Sequence, residues 1–363
     1  MTRAGREFCR SKHCGDNKAF NLFGQSVFMK DVRAEALAAW ASSADLGVEI
    51  PEDADLQPVS DDASFRRYFR FLFPGSTLDL GLVFVDAPPE HEDNESFLKI
   101  SAALGEAGLN CPRVVASDLE QGFMAVTDLG DTLYLEVMTS SPERIPRLYE
   151  DAVGGILRMM EVRCDLPPYD RQRLIDEMGL FHEWFLTQQL QIEVSSELKA
   201  MLQQTYHYLA ERALEQPALF VHRDYHCRNL MVESENSPGI IDFQDAVIGP
   251  VTYDLVSLYK DCYYRFDRSD VERAVASFQK SLVEMKIIDD QAPVLEWFDL
   301  MGVQRHLKCA GIFSRLNLRD GKPGYLKDIP LVVAYLQEAA DLYPELSALS
   351  AFLREQVQGR LPL

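Results

Sequence analysis

The sequence predicts an α+β chain of two lobes, a small five-stranded antiparallel sheet with one helix followed by a larger, mainly helical part. Three observations predict it. Between Leu56 and Thr127, short segments rich in β-branched and aromatic residues are separated by turn-forming clusters. Beyond Pro142 apolar residues recur at three- and four-residue spacing, the helical pattern. Length is the third: 363 residues exceed the roughly 250–300 at which single cores stop growing.

Taken in order, residues 1–30 carry six scattered basic residues and no apolar core of a signal peptide. They read as a disordered tail, or as an over-extended start with Met29 the initiator. From Asp31 a helix runs to near Gly47. Strands follow at Leu56–Val59, Phe65–Phe73 and Leu80–Asp86, the first two joined by Ser60–Ser64 and the next by the turn Pro74-Gly75-Ser76. Period-two alternation in Phe65–Phe73 puts Phe65, Arg67, Phe69, Phe71 and Phe73 on one face and Arg66, Tyr68, Arg70 and Leu72 on the other. A helix at Asp93–Glu106 and strands at Val114–Ser117 and Phe123–Thr127 complete the lobe, residues 31–128. The second lobe, 129–363, holds helices at Pro142–Arg163, Arg171–Leu190, Ser195–Leu214, Thr252–Tyr264, Ser269–Met285, Leu295–Leu318, Ile329–Leu342 and Glu345–Gln356.

Chemistry concentrates in Leu219–Tyr264. The apolar Leu219-Phe220-Val221 leads into His222-Arg223-Asp224, with Asn229 five residues beyond Asp224, the spacing H-R-D-x-x-x-x-N of a phosphotransferase catalytic loop. Two further short strand patterns, Asn229–Glu233 and Gly239–Ile241, deliver Asp242-Phe243. In-line phosphoryl transfer needs a carboxylate to orient the attacking hydroxyl and take its proton, and hard oxygen ligands to hold Mg²⁺ on the ATP phosphates. Asp224 suits the first task, Asn229 and Asp242 the second.

Acidic residues exceed basic ones by 57 − 36 = 21, which argues against nonspecific nucleic-acid binding and against a basic membrane-binding face. No run approaches 18 apolar residues. Seven scattered cysteines without a C-x-x-C pair point to a reducing cytoplasm. Cys9, His13 and Cys14 lack the further Cys or His cluster that structural zinc requires.

VHRDYHCRN, GIIDFQD and GPVTYDL together make the chain resemble the aminoglycoside phosphotransferase and choline kinase superfamily over residues 31–345. That resemblance implies a protein-kinase-like bilobal fold, ATP and Mg²⁺, Asp224 as catalytic base, Asn229 and Asp242 as metal ligands, and His222 and Asp254 in structural roles. It assigns the adenine edge to the backbone of Thr127, Asp128 and Leu129. The position in and just after the loop makes Ser64, Phe65, Arg66 and Arg67 the candidate phosphate contacts, the alternative for the arginines being charge that protects an edge strand. Within the superfamily, ASFRRYFR, VDAPPEHED, VTDLG and HLKCAGIFSRLNLRDGK are similar to the anomeric sugar kinases of cell-wall recycling, which implies an N-acetylated amino sugar, N-acetylmuramate or N-acetylglucosamine, as acceptor. The strand Leu80–Asp86 carries no lysine where protein kinases place the phosphate-pairing one.

In Leu295–Leu318 one face is apolar while Arg305, Lys308, Arg315 and Arg319 fall within an arc of about 80°. Arg305, Lys308 and Arg315 are the candidate acceptor contacts, suited to a carboxylate. The alternative is a solvated helix face. Two other functions stay open on the sequence: a kinase for an aminoglycoside or choline-like acceptor, and a nucleotide-binding regulatory module without turnover.

Overall fold

A sheet of five antiparallel strands organises the first part of the protein. The structure is a computed structural model that describes residues 18–20, 26–28, 31–51, 53–60, 65–73 and 80–361. Among the first thirty residues, Lys18–Phe20 (β1) pairs antiparallel with Ser26–Phe28 (β2), where the sequence suggests no element. Met29, Cys9, His13, Cys14 and Ser64 lie outside the described residues. Two compact units form, Met1–Glu92 with Ala116–Ala125, and Asp93–Val115 with Val126–Leu363.

The sheet comprises β3 (Asp55–Ser60), β4 (Arg67–Leu72), β5 (Leu82–Asp86), β6 (Val114–Asp118) and β7 (Phe123–Thr127) in the order β3-β4-β5-β7-β6. Pro58 is tolerated because β3 is an edge strand. The alternation in β4 buries Phe69 and Phe71, with Phe73 beyond the strand end, against Leu37 and Ala41 of α1 (Val32–Ser43). The Asp31 carboxylate caps α1 by accepting the Ala34 N–H at 3.1 Å. Gly122 turns β6 into β7 at φ +74°, and a Cβ there would fall 2.1 Å from the Ala87 carbonyl oxygen, so only glycine fits.

The second unit begins with α2 (Asn94–Glu106) and continues through α3 (Tyr134–Ser140), α4 (Ile145–Met159), α5 (Arg171–Leu180) and α6 (Ser196–Leu214). Where the sequence suggests one helix over Arg171–Leu190, the chain passes from α5 into a π-helical segment, Phe181–Gln189. Four short strands follow: β8 (Ala218–Val221) pairs antiparallel with β11 (Val247–Pro250), and β9 (Leu230–Met231) with β10 (Gly239–Ile240). Then come α7 (Tyr253–Tyr259), α8 (Arg268–Glu284), α9 (Val294–Leu318), α10 (Ile329–Leu342) and α11 (Ser347–Phe352). The helical pattern through Tyr264 stops early because the buried Asp261 carboxylate accepts the N–H groups of Tyr263 and Tyr264, each at 2.9 Å.

The 25-residue α9 is the core helix of this unit, packed by α5, α6, α7, α8, α10 and the π-helical segment. It is therefore covered on more than its apolar face, and Arg305 and Lys308 are buried in place of forming a solvated stripe. Among the described residues no helix is long and apolar enough to cross a membrane.

Candidate active site

The loop between β8 and β9 and the second residue after β10 bring the Asn229 side chain against the Asp224 backbone and the Asp242 carboxylate. Asn229 Nδ2 donates to the Asp224 carbonyl at 3.0 Å and to Asp242 Oδ2 at 3.1 Å, while Gln244 Nε2 donates to Asp242 Oδ1 at 2.7 Å. Arg223 and Asp242 sit at φ +79° and +64°, a left-handed conformation costing about 1–3 kcal/mol per non-glycine residue. For Arg223 the compensation is visible. Its N–H meets Asp254 Oδ1 at 2.9 Å, its carbonyl accepts from Ser257 Oγ at 3.0 Å, and its guanidinium pairs with Glu177 at 2.5 Å.

Asp254, buried near the start of α7, also accepts the His222 N–H at 2.7 Å. Two backbone donors thus converge on one carboxylate, so removing it would leave both unsatisfied. Burial pushes this carboxyl up to about 6, outweighing those donors. His222, fully buried, is held neutral by the same cause and donates from Nε2 to the Ile241 carbonyl at 3.0 Å, tying the loop to the strand that delivers Asp242.

On its side-chain face, Asp224 opens onto a cavity of about 460 Å³, within the roughly 300–1,000 Å³ of small-molecule sites. Leu180, Ile312, Phe313 and Tyr263 give it apolar walls, while Arg305, Lys308 and Arg315 of α9 give it a cationic one. Burial alone would raise the Asp224 carboxyl, but the charges of Lys308, Arg305 and Arg223 win and hold it down at about 2. Asp224 is therefore ionised at any physiological pH.

The three basic residues are not equivalent. Lys308 Nζ lies 3.3 Å from Glu177 Oε2 and 3.3 Å from the Tyr253 hydroxyl, so its charge is taken up inside the protein. Arg305 is 5% exposed and forms no hydrogen bond or ion pair among the described residues. Arg315 is half-buried, its Nε buried without a hydrogen-bond partner. Arg319, by contrast, pairs at the surface with Asp320 at 2.7 Å.

In the first unit, buried Arg66 pairs with Glu92 at 3.2 Å. Arg67 is shared between Asp86 and Asp31, with Nε 3.0 Å from Asp86 Oδ2, and Arg33 Nε reaches the other Asp86 oxygen at 2.7 Å. Both arginines are thus held by carboxylates of their own unit. Phe65 is 62% exposed and stacks on His91 with centroids 4.2 Å apart. Thr127 bonds Arg113 through its N–H and its hydroxyl oxygen, both at 2.9 Å, and Asp128 Oδ1 accepts the Gly130 N–H at 2.8 Å. Leu129 packs on Gly239.

Among the described residues no group of three or more His, Cys, Asp or Glu stands ready for a metal ion. Asn229 and Asp242 still fit magnesium. Their oxygens are hard donors, and magnesium takes only one or two carboxylates from protein, completing its shell with phosphates and water. The Asn229 NH₂ is committed to Asp224 and Asp242, which leaves its carbonyl oxygen as the atom for a cation.

Sequence reasoning missed Glu177, which joins Arg223, Lys308 and Tyr169. A signal was present. Glu177 stands in register with Leu174, Met178 and Phe181, all fully buried, so its carboxylate falls on the inward stripe of α5. His226, Asp245 and Tyr263, which also line the cavity, carried no comparable signal.

A small sheet, a helical unit and an Asp–Asn–Asp constellation on short strands define a phosphotransferase of kinase-like fold. The chain belongs to the phosphotransferase enzyme family, whose model matches residues 55–300. It is 42% identical over 342 residues to the N-acetylmuramate/N-acetylglucosamine kinase of Pseudomonas aeruginosa, covering 91% of this chain and 98% of that protein. The proteins of the same name from Pseudomonas putida and Neisseria meningitidis are each 37% identical, covering 91% and 84% of this chain and 98% and 91% of theirs. In fold it is similar to ADP-bound aminoglycoside phosphotransferase APH(2'')-Ib (TM-score 0.55, 13% identity, 84% of this chain and 98% of that one). The choline kinase of Cryptosporidium parvum is another such neighbour (TM-score 0.57, 13% identity, 88% and 99%).

Proposed function

We propose that the protein is an ATP-dependent, magnesium-requiring kinase that phosphorylates the anomeric hydroxyl of N-acetylmuramate and N-acetylglucosamine. The observation that carries the reading is the ionised Asp224 carboxylate lining a cavity of about 460 Å³, with Asn229 bonded to both its backbone and Asp242. The relatives' names supply the acceptor.

Asp224 orients the anomeric hydroxyl by accepting its hydrogen bond. A carboxylate held at about 2 is a weak base, so it takes the proton late, once the oxygen has begun to bond phosphorus. That suits phosphoryl transfer, whose loose transition state asks for positioning more than for early deprotonation. A magnesium ion held by Asn229 and Asp242 would neutralise charge on the transferring phosphoryl group. Asp254 and His222 keep the loop in its strained conformation. Because Arg66 and Arg67 are already ion-paired, we assign the phosphate contact of the first unit to backbone and hydroxyl donors around Ser64 and Phe65, and the adenine edge to the backbone of Thr127, Asp128 and Leu129. Against a cationic acceptor such as an aminoglycoside or choline stand Arg305 and Arg315, which face the cavity without a bonded carboxylate among the described residues, although Asp224, Asp245, Asp261 and Glu177 line it too. A nucleotide-consuming enzyme with free cysteines belongs in the cytoplasm.

The test is ATP consumption with magnesium against both amino sugars, aminoglycosides and choline, with phosphorus NMR of the product. A sugar 1-phosphate is expected. A phosphate on any other hydroxyl, or turnover only with a cationic acceptor, would overturn the reading.

A further inference from the structure

The cavity beside Asp224 presents two guanidiniums, and they stand at different depths. Arg305 and Arg315 are ten residues apart on α9, so at 1.5 Å per residue their Cα atoms are separated by about 15 Å along the axis. Ten residues at 100° also return the chain to within about 80° of the same face, so both side chains reach one cavity. Arg305 belongs to the Asp224 end, where its charge helps hold that carboxylate ionised. Arg315 belongs to the other end, where its charge reaches the exposed Asp320, which is itself paired with Arg319.

Neither guanidinium is neutralised by a carboxylate bonded to it, whereas Lys308 between them is held by Glu177 and Tyr253. An unneutralised buried or half-buried guanidinium facing a cavity is a costly arrangement that a bound anion or a row of sugar oxygens would relieve. Between the two, the apolar Ile312 and Phe313 face the same space.

On the reading of the acceptor given above, we infer that Arg315 is the residue that distinguishes the acidic sugar from the neutral one, by pairing with the lactyl carboxylate of N-acetylmuramate, while Arg305 positions the reacting end of either sugar. The geometry follows from the pyranose. Its anomeric oxygen and its lactyl ether stand on C1 and C3, either side of the amide-bearing C2. A sugar with its anomeric hydroxyl at Asp224 therefore carries the carboxylate away from Asp224, toward the outer end of α9. N-acetylglucosamine bears a hydroxyl at C3 and makes no such pair. Arg315 then contributes to one substrate and is a bystander for the other, and Arg305 contributes to both.

The experiment compares kcat/KM for the two sugars in the wild-type protein, Arg315→Gln, Arg315→Lys and Arg305→Lys, with thermal unfolding to confirm that each variant is folded. Arg315→Gln is expected to lower kcat/KM for N-acetylmuramate by about 10- to 100-fold, the worth of a charge-assisted bidentate pair, and to leave N-acetylglucosamine within about twofold. Arg315→Lys should recover part of that loss, because it restores charge without the fork. Arg305→Lys should lower both sugars alike. Equal loss for both sugars in Arg315→Gln, or loss for neither, overturns the assignment while leaving the kinase reading intact. A wild-type protein that phosphorylates neither sugar overturns both.

Discussion

Asp224 illustrates how a residue's chemistry is set by what surrounds it. A carboxylate this enclosed would ordinarily take up a proton, and it stays ionised because Lys308, Arg305 and Arg223 contribute more than burial costs. Replacing it with asparagine keeps the shape and removes the proton acceptor. Asp224→Asn should lower kcat by about 10²- to 10⁴-fold. Nucleotide affinity, measured by calorimetry with Mg-ATP, should hold, because Asn229 and Asp242 are untouched. A variant that turns over at the wild-type rate would remove Asp224 from the base role. Much of this site was legible in the chain, since H-R-D-x-x-x-x-N and the later Asp242 announce themselves by residue type and spacing. What was not legible is the left-handed backbone at Arg223 and Asp242. Arginine is not a residue type that signals positive φ, and at Arg223 the conformation is held by Asp254, Ser257 and Glu177 from elements distant in sequence, while an aspartate such as Asp242 tolerates positive φ without announcing it.

At the scale of elements, the short strands and the helices were readable from periodicity, with β7 and α10 ending at the expected residues. Core helix α9 was the harder case. Its pattern suggested one apolar and one basic face, but a helix enclosed on several sides buries basic residues of that face, and for Lys308 a neighbour supplies the counter-charge. That neighbour, Glu177, lies more than a hundred residues away. Its carboxyl is pushed up by burial and pulled down further by Lys308 and Arg223, with a net lowering from 4.5. A depressed carboxyl stabilises the fold above its unfolded value and loses that contribution as pH falls through its folded one. Glu177→Gln should therefore cost about 3–5 kcal/mol at pH 7, since it strands two buried cations, and should flatten the decline in stability below about pH 4.5. Urea unfolding at pH 7 and at pH 4 measures both; an unchanged acid-side slope would count against the pairing.

Contact between α9 and the end of α5 has its own requirement. A Cβ on Gly311 would fall 2.4 Å from the Leu180 carbonyl carbon, a collision with backbone that no rotamer change can relieve. Gly311→Ala should destabilise by about 1–3 kcal/mol through overpacking. Leu180 and Ile312 both line the cavity, so the displaced helix should also raise KM for the sugar more than KM for ATP. Steady-state kinetics with each substrate varied in turn separates the two. Equal changes in both KM values would mean that the contact supports the fold without shaping the acceptor site.

The molecule as a whole carries a net charge of −21 around a cavity with a basic wall, and the two act at different ranges. Long-range repulsion between that charge and an anionic acceptor is screened within about 10 Å at 0.1 M salt, while a desolvated contact at Arg315 is screened much less. N-acetylglucosamine is neutral and shares the same nucleotide, so the ratio of kcat/KM for the two sugars cancels every effect of salt on ATP. Raising ionic strength from about 20 mM to about 200 mM should then increase the ratio of N-acetylmuramate to N-acetylglucosamine by about two- to fivefold, as the acidic sugar escapes a repulsion that the neutral one never feels. In Arg315→Gln the same increase should persist from a lower starting ratio, because the field of the whole molecule is nearly unchanged. A ratio that instead falls with salt would mean that the carboxylate is read at an exposed, screened position and that the outer end of α9 is not where it binds.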